Sequence, residues 1–123
     1  MQLGIHTGTF SRPTVTASLL AAQRHGLQYV HLNLKLTPGS DAIDPLVAAE
    51  AARTLVETGM RVASLSGTFN MAHPAASVRR EGLARLADLV PLAEHFRAPV
   101  LSLCTGTRNV DSMWRGHPDN QTP

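Results

Sequence analysis

The side chains best suited to holding a ligand in this chain are histidines, amides, one arginine and one tryptophan near the ends of short apolar runs. Imidazoles and amides can donate and accept hydrogen bonds, as sugar hydroxyls require, and a guanidinium can hold a phosphate or carboxylate through two bonds. An indole can stack on the apolar face of a sugar ring. We predict substrate contact for six residues, namely His6, Asn33, Asn70, His73, Arg108 and Trp114.

Four of these residues also have structural explanations. Asn33 and Asn70 end predicted strands, where asparagine is common in turns. Arg108 could form an ion pair with Asp111 rather than bind an anion. Trp114 could cover the end of the sheet, although its place in a long strand-to-helix loop favours ligand contact.

The histidines divide by their position in the predicted elements. His25 and His95 lie near helix C-termini, where an imidazole interacts favourably with the helix dipole. His31 lies in the middle of a strand, and a hydrogen-bonded structural role explains it at least as well as ligand contact. His6 and His73 lie near strand ends, where ligand contact, loop support and, in a complete barrel, metal ligation all remain open. No two histidines have the spacing of an HExxH metal motif.

No aspartate or glutamate lies at the carboxyl end of a predicted strand, so the chain offers no carboxylate pair for acid–base or metal chemistry. Asp41 and Asp44 precede a helix, and Asp44 suits its N-cap. We therefore predict no catalytic carboxylate and no metal site in this chain. The other acidic residues fall on predicted helices or in the C-terminal tail, at Glu50, Glu57, Glu81, Asp88, Glu94, Asp111 and Asp119.

Strand and helix patterns alternate, which predicts an α/β fold with the order βαβαβαβ and a parallel sheet. Asp44 and Pro45 form a strong helix start, Gly59 is suited to ending that helix, and Pro91 is expected to kink or break the third helix. Residues 105–123 read as a polar loop or tail. The predicted strands are Gln2–Thr7, Gln28–Leu34, Arg61–Leu65 and Pro99–Cys104, and the helices are Thr14–His25, Pro45–Thr58 and Ser77–Phe96.

Each predicted strand has one apolar face and one small or polar face. Val30 and Leu32 oppose His31 in the second strand, and Ala63 and Leu65 oppose Ser64 in the third. An open sheet with helices on both sides would need two apolar faces. A polar face suits the interior of a ligand-holding barrel, and four such units make the first half of a TIM (β/α)8 barrel.

A Gly-Thr pair closes three of the apolar runs, with its glycine at Gly8, Gly67 and Gly106. The repetition predicts the same turn at three strand ends, with glycine removing the Cβ penalty and threonine leaving a hydroxyl at the rim. The pairs do not form a phosphate-binding loop, because neither a GxxxxGK[ST] nor a GxGxxG pattern is present.

Bulk composition indicates a single globular domain over residues 1–123, with 43% apolar and 16% charged residues. The formal charge is only +2 and the arginines are scattered, which argues against nucleic-acid binding. No apolar run approaches the roughly 20 residues of a membrane helix. The single cysteine, Cys104, has no histidine in register and suits a small buried thiol in a reducing compartment. We predict a cytoplasmic location.

The segment VLSLCTGTRNVDSMWRGHPDN resembles the sugar phosphate isomerase/epimerase family of the xylose isomerase-like TIM-barrel superfamily. The segments LGIHTGTF and VASLSGTFNMAHP also resemble that family. The resemblance covers nearly all of the chain but only the amino-terminal half of a typical member.

This resemblance implies a sugar or cyclitol substrate and metal-assisted proton transfer next to its carbonyl. A divalent metal (Mn, Mg, Zn or Co) is expected in a full-length family member, bound by later strands. We therefore expect this chain to be truncated and inactive alone, and to self-associate through open sheet edges.

Two alternatives remain. The superfamily resemblance extends to endonuclease IV-like enzymes, so a metal-dependent hydrolase or lyase on the same barrel is possible. Such an enzyme needs more metal-binding histidines and a basic groove. The other alternative is a non-catalytic half-barrel, which would form a stable, discrete dimer.

Overall fold

The structure is a computed structural model that describes residues 1–34 and 43–121, so Asp41 and the last two residues of the predicted tail lie outside the described residues. Four strands and three α-helices alternate along the chain, and two short 3-10 helices follow β1 and the last loop. The strands are β1 (Gly4–His6), β2 (Tyr29–Leu32), β3 (Arg61–Ser66) and β4 (Leu101–Ser102), the α-helices are α1 (Val15–Arg24), α2 (Pro45–Thr58) and α3 (Ala76–His95), and the 3-10 helices are Thr7–Phe10 and Pro118–Gln121.

The four strands form one parallel sheet in the order β1-β2-β3-β4, which confirms the predicted α/β class and element order. The two edge strands are shorter than predicted: β1 pairs only over Gly4–His6 and β4 only over Leu101–Ser102. An edge strand has a single neighbour to hold it in the ladder, and at Thr7 the chain already turns into a 3-10 helix.

Local sequence signals set the helix ends where they were predicted. The Thr14 hydroxyl accepts the backbone N–H of Ala17 at 3.0 Å, and Asp44 Oδ1 accepts that of Leu46 at 2.8 Å. Gly59 ends α2 in the left-handed region with φ of 67°.

The third helix does not break at Pro91, because it continues through that residue to His95, and the alternative, a kink at Pro91, stays a prediction. Proline removes the hydrogen bond to the carbonyl four residues earlier, which belongs to Ala87. Ala87 and Pro91 are both exposed, so water can satisfy that carbonyl. Leu89 and Phe96 bury their side chains in the core on either side and anchor this part of the helix.

A single apolar core lies between the helices and one face of the sheet. Val30, Leu32 and Leu65 are fully buried there against side chains of all three helices. No helix in the described ranges covers the opposite face, which carries polar side chains and is called the open face below; its residues include His6, His31, Ser64, Ser66 and Ser102. Within the same ranges, no helix combines the length and apolar character needed to cross a membrane.

A register shift between β2 and β3 changes one face assignment. Val30 pairs with Val62 whereas the next residue, His31, pairs with Ser64, so β3 contains one extra residue. Val62 is buried and Ala63 is exposed, so the prediction that Ala63 lies on the apolar face is wrong. Strict alternation cannot anticipate the bulge, which preserves core packing on both sides of the extra residue.

Candidate ligand-binding site

Three polar side chains from three strands come together on the open face. Ser102 Oγ of β4 lies 2.8 Å from Nε2 of His31 in β2. The imidazole of His6 in β1 meets that of His31 edge to face, with ring centroids 4.8 Å apart and an interplanar angle of 87°. We call these three residues the open-face cluster.

The hydrogen bond between Ser102 and His31 spans an intervening strand. Two strands with one strand between them lie about 10 Å apart, which is twice the spacing of neighbouring strands. The β3 residues paired with His31 and Ser102 are Ser64 and Ser66, and their small side chains leave room for the imidazole to reach across.

The backbone sets the protonation pattern of His6. Its Nδ1 accepts the backbone N–H of Gly8 at 3.1 Å, so in the neutral ring the proton resides on Nε2. Nε2 can therefore donate to a ligand oxygen, whereas a metal bound at Nε2 would require the other tautomer. Burial, and secondarily the neighbouring His6 imidazole, lower the pKa of His31 below its ordinary value.

A second polar region, which we call the rim groove, lies at the carboxyl ends of β3 and β4. It is an open depression of about 620 Å³. The backbone N–H of Ala72 donates to the carbonyl of Thr105 at 2.9 Å and so ties the two loops together. The groove is lined by Met71, Ala72, Arg79, Thr105, Gly106, Arg108, Asp119 and Asn120.

Arg108 contributes a guanidinium to this groove and pairs with Asp119, so the alternative partner proposed from sequence, Asp111, is wrong. Its Nε lies 3.8 Å from Asp119 Oδ2, and both side chains are about half exposed. Asn120 Oδ1 accepts the backbone N–H of Arg108 at 2.9 Å and positions the residue. An exposed pair of this kind contributes little stability, so an incoming anion can compete for the guanidinium.

Asn70 holds the third Gly-Thr turn in place. Its Oδ1 accepts the backbone N–H of Thr107 at 2.9 Å, and Gly106 beside it has a left-handed φ of 72°. The turn role of Asn70 is therefore present in the structure. The amide nitrogen of the same side chain can still donate to a ligand.

His73 shapes the turn that leads into α3. Its Nδ1 accepts the backbone N–H of Ala75 at 3.1 Å, and its carbonyl accepts a hydrogen bond from Arg79. This geometry supports the loop-holding alternative for His73 and leaves Nε2–H as its donor.

The other two predicted site residues, Asn33 and Trp114, do not line the rim groove. Asn33 follows β2, where its backbone N–H donates to the buried hydroxyl of Thr7 at 2.9 Å. Trp114 is 74% exposed. Cys104 is half-buried rather than buried, with Sγ 4.0 Å from the carbonyl oxygen of Phe69.

The three Gly-Thr pairs do not perform the same job, so that prediction is wrong. Gly8 lies inside a 3-10 helix, and Gly67 is buried where a Cβ atom would meet Leu86 and Leu103 at about 3 Å. Only Gly106 requires the left-handed region. The first glycine lies in a helical turn, the second allows close packing, and the third adopts a backbone conformation that other residues rarely adopt.

The sequence interpretation missed Ser102 and favoured a structural role for His31. Both residues lie on the predicted polar face, so alternation placed them correctly, but they are 71 positions apart. Their pairing depends on strand order and on the small β3 side chains between them.

Within residues 1–34 and 43–121, no three side chains of the His, Cys, Asp or Glu type converge to hold a metal ion. The divalent metal that the resemblance implies is expected on the later strands of a full-length family member and stays a prediction. Neither a family model nor a curated protein matches this sequence.

Proposed function

We propose that this chain forms the amino-terminal half of a TIM-barrel protein related to sugar isomerases and epimerases, and that it binds a sugar or cyclitol. The observation that carries the proposal is the polar open face of a parallel sheet whose other face is packed against helices. The strands lie in the sheet in the same order as along the chain, and the helices lie on one side of it. This arrangement is expected of four consecutive barrel units. The sequence resemblance supports the same reading.

The described side chains support ligand binding rather than complete catalysis. His6 can donate from Nε2, Asn70 from its amide nitrogen, and Arg108 can hold an anionic substituent. The reaction class we propose is proton transfer next to a carbonyl. A divalent metal would polarise that carbonyl when bound. Its ligands are not brought together by the described residues, so we expect this chain to be inactive alone.

The proposal is tested by binding and turnover measurements on the same purified chain. Titration with D-xylose and with myo-inositol, followed by NMR, should show saturable shifts in residues of the open face or the rim groove. Isomerase and epimerase assays with added Mn²⁺, Mg²⁺, Zn²⁺ or Co²⁺ should show no turnover. If the chain binds neither compound, the proposed ligand class is contradicted. Turnover by the monomer would contradict the expected inactivity.

Exposed apolar side chains near the β4 edge favour self-association as a property of the isolated chain. Val100 and Leu103, which flank β4, are 52% and 46% exposed, and the β4 backbone has a strand on one side only among the described residues. Such an edge can pair with another chain. Light scattering across a concentration series should reveal oligomers, and a strictly monomeric chain at high concentration contradicts this expectation.

A further inference from the structure

We propose that the open-face cluster of His6, His31 and Ser102 is a subsite for neighbouring hydroxyl groups of an uncharged polyol. This inference rests on the proposed function and assigns a place on the sheet to its ligand. His31 and Ser102 were not among the residues predicted to bind substrate.

The open-face cluster has unused hydrogen-bonding capacity. His6 Nδ1 is occupied by the backbone N–H of Gly8, and Ser102 Oγ is bound to His31 Nε2. In the described ranges, His6 Nε2 and His31 Nδ1 have no hydrogen-bond partner in the protein. The hydroxyl of Ser102 can also form a further bond, since it has one donor and two acceptor sites. The cluster thus offers both a donor and an acceptor to a ligand.

The donor and the acceptor of the cluster are already oriented. The edge-to-face contact holds the two imidazoles with their centroids 4.8 Å apart, and the Ser102 bond holds the second ring from the far side. A hydroxyl group both donates and accepts, so neighbouring hydroxyls can bind to His6 and to Ser102 together. Hydrogen-bonded chains of this kind polarise one another and strengthen each contact.

The surroundings of the cluster are uncharged. The open face carries Ser64 and Ser66 beside the cluster and no aspartate, glutamate, lysine or arginine among His6, His31, Ser102 and their strand partners. Partial burial favours the neutral form of His31. An uncharged hydroxyl is therefore a better match than a phosphate or carboxylate. Anions are matched instead by Arg79 and Arg108 in the rim groove.

The test uses the full chain labelled with ¹⁵N, with imidazole resonances followed during titration by myo-inositol at pH 7.5. We expect the His6 and His31 resonances to shift together and saturably, with the free His6 ring in the Nε2–H tautomer. Ser102→Ala should weaken binding roughly five- to tenfold, as expected for one lost hydrogen bond. Ser77→Ala, an exposed serine on α3, should leave the affinity unchanged.

Three results would overturn the inference. Saturable shifts confined to His73 and His117 would place the polyol elsewhere and leave the proposed function standing. Displacement of myo-inositol from His6 and His31 by inorganic phosphate would contradict an uncharged-ligand subsite. Absence of binding to both myo-inositol and D-xylose would overturn the proposed function together with this subsite. Circular dichroism of Ser102→Ala confirms that its fold is intact before affinities are compared.

Discussion

Ser102 and His31 are joined by a 2.8 Å hydrogen bond although the strand β3 lies between the strands that carry them. The bond links the fourth strand to the second without passing through the backbone ladder. The bond exists because the intervening positions on the open face are serines, and together with the His6 contact it orients the His31 imidazole. The polar face of this sheet is therefore an organised surface.

Ser64→Leu should break this bond, because a leucine beside His31 would occupy the space through which the imidazole reaches Ser102. We expect a loss of about 1 kcal/mol in the free energy of unfolding, the typical net value of one hydrogen bond. Ser64→Ala is the matched control and should retain the bond. The Nε2 chemical shift of His31 reports the result, and an unchanged shift in Ser64→Leu would show that the gap over β3 is not required.

Stability should depend on the ionisation of His31. The folded-state pKa lies below the ordinary 6.5, so the unfolded chain binds more protons in the interval between the two values. The contribution of the neutral His31 ring to the free energy of unfolding is therefore complete above pH 6.5. It declines as the pH falls from 6.5 towards the folded-state pKa. Urea denaturation at pH 7.5, 6.5 and 5.5 should show this decline. In His31→Gln, the free energy of unfolding should depend less steeply on pH. Equal pH dependence in the two proteins would contradict the assignment of this effect to His31.

Gly106→Ala should destabilise the protein by about 1–3 kcal/mol, because φ of 72° is strained for alanine and the new Cβ would contact Asn70. Gly116→Ala is the matched control, since a Cβ there meets no atom within 4 Å and its φ is not in the left-handed region. That control should change the free energy of unfolding by less than about 0.5 kcal/mol. The free energies of unfolding are measured by urea denaturation. Comparable decreases in both variants would show that the turn at Gly106 has no special requirement for glycine.

Ser18→Ala should raise stability by about 1 kcal/mol. Ser18 is fully buried in α1, and its hydroxyl has no hydrogen-bond partner in the described part of the chain. A buried hydroxyl without a partner costs free energy, and alanine is also the better helix former. Ser77→Ala, at the exposed start of α3, should gain only the stabilisation that comes from the higher helix propensity of alanine. Thermal unfolding of both variants separates these contributions, and a loss of stability in Ser18→Ala would indicate that the hydroxyl is satisfied.

The candidate site could be predicted only in part. His6 and Asn70 were predicted because each lies near the end of a strand. His6 accepts the backbone N–H of Gly8, two positions away, whereas Asn70 accepts that of Thr107, 37 positions away. Their contact with a ligand stays a prediction. An ion pair of Arg108 with Asp111, three positions away, was the alternative to anion binding, whereas the ion pair is made with Asp119. Charge and spacing describe which pairs are possible, and the path of the loop selects among them.

The sequence by itself determined the order of the elements and the ends of the helices. Asp44 caps α2 and Gly59 ends it through interactions within a few residues, which is why those signals can be read locally. Tertiary structure decided the bulge at Ala63 and the pairing of His31 with Ser102. Both depend on how β3 aligns with its neighbours, and that alignment is set by burial of Val62 and Leu65 in a core shared by the whole sheet.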